Sequence, residues 1–191
     1  MPRSCCNSMI CLLLVLIPAT VSAKSDRNAE AIVTLRNGQP CFSYPKDKDI
    51  RKWHYSFGSL DVSETGPNAG KGVWQVGLSD PYRKKGLLEP NSVGTCVKYG
   101  VLNPGMEVTQ PAEPLQFNTP YRVHISVLKS DQEGGNVRLY ASDFCLSRNA
   151  KGEKIIVGAV WDDKTDAPRC SKPGESPKCS LWQRLIRFLS R

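Results

Sequence analysis

The chain has 191 residues, 26 Lys and Arg against 18 Asp and Glu, a formal charge of +8 and eight cysteines. A basic balance admits nucleic acid, an anionic membrane surface or an acidic protein as partner. The Lys and Arg residues are scattered, with no long basic run before the C-terminus, which argues against nucleic acid.

Residues 1–23 have the three parts of a secretory signal peptide. Arg3 precedes the apolar run Met9 to Ile17, Pro18 breaks it, and Val21-Ser22-Ala23 offers a small-residue cleavage site. The run has nine residues, whereas a membrane span needs about 20. Lys24 follows the site where a lipid-anchored protein would carry cysteine. The reading is a soluble exported protein cleaved after Ala23. Removing 23 of 191 residues leaves 168, and losing Arg3 takes the charge from +8 to +7. That length suits one domain with a sizeable core.

Ala31 to Arg36 and Gln39 to Tyr44 alternate in period two around Asn37-Gly38, the strongest short hairpin signal, because both turn positions need φ > 0. Pro40 has no N–H for a ladder and belongs near a strand end or an edge. Further strands are expected at Trp53 to Val62, Gly72 to Leu78 and Thr95 to Val101. Tyr121 to Leu128 is the clearest: Tyr121, Val123, Ile125 and Val127 fall on one face, with Arg122, His124 and Ser126 on the other. Val137 to Leu146 returns as its hairpin partner, and Ile155 to Trp161 is the last strand. Short strands punctuated by turns argue for an antiparallel immunoglobulin/fibronectin-like β-sandwich. Leu115, a short turn and Tyr121 resemble the tyrosine corner of such folds, in which the hydroxyl bonds back to the preceding turn.

The expected organisation is a signal peptide over 1–23, a β-sandwich over 24–165 and a disulfide-stapled tail over 166–191. Five cysteines survive cleavage: Cys41, Cys96, Cys145, Cys170 and Cys179. An oxidising compartment favours disulfides, and the odd number leaves one thiol over. Cys170 and Cys179 bracket a Pro/Gly turn with no core of its own, so they are expected to pair. Sequence alone does not choose among the other three; Cys41–Cys96 is preferred, with Cys145 a buried thiol. Ser180 to Arg191 reads as a short amphipathic helix, its apolar residues opposed by Arg184, Arg187 and Arg191. It would dock on the domain, or touch a partner or the membrane surface.

No catalytic constellation emerges, and no cofactor or metal is expected. His124 with Cys145 is a conceivable nucleophile pair, but Phe144-Cys145-Leu146 suits a structural thiol. Asp61 with Glu64, Asp162 with Asp163, and Asp47 with Asp49 sit in or beside turns, where solvated charge is the default. Trp53, Trp74, Trp161 and Trp182 read first as core; several exposed together would make a binding face.

Four blocks carry a resemblance: Arg36-Asn37-Gly38-Gln39-Pro40-Cys41-Phe42-Ser43-Tyr44-Pro45, then Cys96-Val97-Lys98-Tyr99-Gly100, then Pro114-Leu115 through Thr119-Pro120-Tyr121-Arg122-Val123, then Tyr140-Ala141-Ser142-Asp143-Phe144-Cys145-Leu146. In that order they resemble small exported Gram-negative proteins known as type VI secretion immunity proteins of the periplasm, many of them lipoproteins. The likeness spans roughly Leu35 to Ser147. This sequence departs from it in lacking the lipobox cysteine and in adding the tail from about Ala150. The resemblance implies a non-catalytic periplasmic protein that binds and neutralises a toxic effector; a monomer is expected. It supplies no catalytic residues, and effector contacts are not legible. The alternatives are an envelope-associated binding or structural module, and a periplasmic enzyme using Cys145 and His124.

Overall fold

The computed structural model describes residues 29–45, 55–66, 68–79, 95–129, 137–172 and 175. The signal peptide, Cys179 and the C-terminal helix expected above lie outside them. The described strands are β1 (Ala29–Glu30), β2 (Ile32–Arg36), β3 (Gln39–Ser43), β4 (Tyr55–Glu64), β5 (Gly72–Leu78), β6 (Val97–Lys98), β7 (Met106–Gln110), β8 (Pro120–Lys129), β9 (Val137–Arg148), β10 (Lys154–Asp162) and β11 (Ala167–Cys170). The fold is all-β. One sheet runs β11-β10-β9-β8-β4-β5-β7, with β1 added to β9; the other runs β2-β3-β6. Pairing is antiparallel except for β1 on β9 and an isolated Phe117–Leu146 bridge.

Period-two patterning explains which residues face inward. Tyr121, Val123, Ile125 and Val127 on β8 are all buried, as are Leu60 and Val62 on β4 and Trp74, Val76 and Leu78 on β5. The small sheet closes over this face with aromatic rings. Phe42 on β3 stands 6.3 Å from Trp74 and 5.4 Å from Phe144. Tyr44 stacks on Tyr140 at 5.1 Å, and Trp74 meets the edge of Tyr99 at 5.0 Å. Such pairs add roughly 0.5–1.5 kcal/mol each beyond the area they bury.

Local chemistry sets the strand ends. Asn37 and Gly38 turn β2 into β3 with φ of 52° and 74°, the geometry that matches strand twist. Pro40 offers no N–H, yet its carbonyl accepts from the Tyr99 N–H at 2.8 Å. The β3–β6 ladder therefore covers only Cys41 and Phe42, and the strand expected over Thr95 to Val101 shrinks to two residues. At the corner before β8, Tyr121 is buried and its hydroxyl accepts the Gln116 N–H at 3.0 Å. Burial pushes that hydroxyl's pKa up, so it stays a neutral hydroxyl.

Two expectations need correcting. Cys170 bonds to Cys145, so it is not available to Cys179, and Cys145 is not a thiol. The tail expected from residue 166 also begins inside the sheet, because β11 pairs with β10 from Asp162–Ala167 to Ala159–Cys170. The physical reason is the same in both cases. Strands two apart in a flat sheet lie roughly 9.6 Å apart, but Cys145 and Cys170 have Cα atoms 5.8 Å apart. The first half of β10 pairs with β9, while the second half leaves it to pair with β11. The β10–β11 hairpin thus folds back toward β9. The second disulfide joins Cys41 on β3 to Cys96 just before β6.

Candidate binding surface

The face of the large sheet turned away from the core is a polar ladder. Arg122 grips both oxygens of the Asp143 carboxylate, at 2.6 and 2.8 Å; such paired bonds are among the stronger surface contacts. That carboxylate holds the Arg122 guanidinium pKa above its usual value. Next along β8, His124 Nδ1 lies 3.2 Å from an Asp61 oxygen. Beyond it the Ser59 and Ser126 hydroxyls meet at 2.6 Å, beside the register shift between Phe57 and Ser59.

The residues posed as chemistry are placed apart. His124 sits opposite Ala141 on β9, and Cys145 opposite Pro120. Four residues of strand separate them, about 13 Å, and the Cys145 sulfur is bonded to Cys170. The two cannot act as base and nucleophile. Asp61 and Glu64 fall on opposite faces of β4. Glu64 is buried rather than solvated and accepts from Asn68 Nδ2 at 3.0 Å. Asp162 is tied into its own turn, accepting the Lys164 N–H at 3.0 Å. Asp47, Asp49, His54, Trp53 and Trp182 lie outside the described residues. Among the described residues no three or more His, Cys, Asp or Glu gather as a metal site.

The tryptophan expectation divides. Trp74 is buried, while Trp161 is 60% exposed, more than any other large hydrophobic residue described. Trp161 stands opposite Pro168 in the folded-back hairpin. That hairpin is fixed at one end by the Cys145–Cys170 disulfide and at the other by a turn in which Asp166 takes φ of 51°. Its second strand is clamped from outside. Arg169 reaches the two Glu175 oxygens at 3.1 and 2.8 Å, and the Lys172 N–H also reaches Glu175, at 2.9 Å. Those contacts pull the Glu175 carboxyl down to about 2, with Arg169 the main cause. A large indole is therefore held exposed on a small, preorganised element. Sequence patterning missed this because Ile155 to Trp161 reads as one strand, with no sign that it changes partner at Gly158.

The chain matches no protein-family model, no curated protein and no solved structure.

Proposed function

We propose that this protein is a periplasmic immunity protein that binds and neutralises a type VI secretion effector without catalysing a reaction. The observation that carries the binding reading is Trp161, exposed on a disulfide-tethered hairpin. Tryptophan is among the commonest interface anchors. A rigid element loses less freedom when it binds, so more of its contact energy appears as affinity. Both described disulfides suit an oxidising compartment, as does the export signal at residues 1–23. The block order from Arg36 to Leu146 supplies the link to immunity, and the basic balance would steer an acidic partner. The two-layer aromatic core and the Tyr121 corner favour kinship with immunoglobulin/fibronectin sandwiches. The division into eight and three strands departs from their four and three.

The test is genetic and then biochemical. Deletion should harm cells only while a toxin encoded beside the gene is active, and the mature protein should co-purify with that toxin from the periplasm. Trp161→Ala should fold normally and fail to protect. Full resistance of the deletion strain to every neighbouring effector would overturn the proposal.

A further inference from the structure

The small sheet has an edge that opens onto a cleft. Among the described strands, β2 pairs with β3 alone. The two-residue Asn37-Gly38 turn makes Arg36 and Gln39 the closing hydrogen-bonded pair. Strand groups alternate from there. Ile32, Thr34 and Arg36 turn their N–H and C=O toward β3, whereas Val33 and Leu35 turn theirs to the other edge. Pro40, opposite Leu35, confirms the phase, since its carbonyl points away from β2 to Tyr99.

Beside that edge lies a cleft of about 500 Å³, bounded by Val33 on one side and by Phe144, Ile156 and Gly158 of β9 and β10 on the other. That volume is within the usual range for ligand clefts. It exists because β1 pairs with β9 only as far as Ala141, while β10 pairs with it only from Phe144. Among the described residues, Ser142 and Asp143 between them have no ladder partner on that side. Among the described residues, the lining carries two carboxylates, Glu30 and Asp143, and no Lys, Arg or His. Arg122 already compensates Asp143, which leaves Glu30 as the uncompensated carboxylate among the described lining residues.

We propose that this cleft takes a short extended segment of a partner protein, which adds to the edge of β2, buries an apolar side chain against Val33 and Ile156, and turns a Lys or Arg toward Glu30. Main-chain bonds along a strand edge supply affinity in this mode, and alternate side chains supply specificity. The proposal holds whether or not that partner is a toxin, and it is tested without one.

The probe is a display library of random linear peptides, panned on the full mature chain. Basic peptides with apolar residues should be enriched. Their affinity should fall about tenfold or more on Val33→Pro, which removes one edge N–H while leaving the β2–β3 ladder intact. It should fall as far on Gly158→Leu, because Gly158 lines the cleft and an added Cβ there meets no atom within 4 Å, so the new side chain starts in open space. Glu30→Lys should switch the selection to acidic peptides. Should Val33→Pro misfold, Gly158→Leu decides alone. The proposal is overturned if no linear peptide is enriched, or if selected peptides bind Gly158→Leu as well as the parent chain. It is equally overturned if only a synthetic Ser180–Arg191 peptide binds, for then the cleft would serve the chain's own tail.

Discussion

Cys41–Cys96 and Cys145–Cys170 are separated by 55 and 25 residues, and the ground around them differs more than those spans suggest. The first pins the small sheet where Phe42, Trp74 and Tyr99 pack together, so it reinforces contacts that already exclude water. The second holds a hairpin whose largest side chain is mostly exposed and whose outer strand is clamped by ion pairs. One bridge strengthens a core; the other holds in place an element with little core of its own. A hairpin in that position is well suited to contact a partner, because its exposed residues are not needed for packing.

The comparison can be broken or sharpened by experiment. Replacing Cys41 and Cys96 by Ser should cost about 4 kcal/mol of global stability on the loop-entropy model, read as a lower urea midpoint. The same change at Cys145 and Cys170 removes a bridge worth about 3.5 kcal/mol on that model. Its effect should be local, with hydrogen exchange accelerating at β11 while β4 and β8 stay protected. Equal acceleration at β11 and at β4 and β8 would erase the distinction. Tyr121→Phe leaves the Gln116 N–H without its acceptor and should cost about 1–3 kcal/mol, again read by urea unfolding. The Arg169–Glu175 clamp should depend on acid. Glu175 titrates near 2 when folded against an ordinary 4.5, so its contribution is complete above 4.5 and fades as pH falls toward 2. Protection at β11, taken relative to intrinsic amide exchange at each pH, should fall over that interval, and Glu175→Gln should flatten the fall. The smallest stability effect belongs to Trp161→Ala, at about 0.5 kcal/mol or less, despite its large expected effect on binding.

Strands whose burial alternates were legible in the sequence. Gly72 to Leu78 needed no adjustment, and the inward face of β8 follows directly from Tyr121, Val123, Ile125 and Val127. The Asn37-Gly38 turn and the Tyr121 corner were readable because each rests on a few adjacent residues. β7 was not. Met106 to Gln110 shows one buried residue and then three exposed ones, as an edge strand covered on few sides will. β11 is four residues long and contains Pro168, and a proline ordinarily argues against a strand. The partner of Cys170 was misread because nearness in sequence favours Cys179, whereas the fold-back of β10 brings up Cys145 from another strand. Trp161 was hidden for the same reason: its exposure depends on that change of partner, not on its neighbours in the chain.

The pairing of β1 with β9 has a consequence in time. Ala29 lies beside Tyr140 and Glu30 beside Ala141, so the first described strand has no seat until the chain is made past residue 140. Whatever forms earlier, from the β2–β3 hairpin to the β4–β5 pair, must do so without it. Contacts between such distant residues form slowly, because a long loop must close before they contribute. Seating the first described strand therefore waits on β9, more than a hundred residues further along the chain.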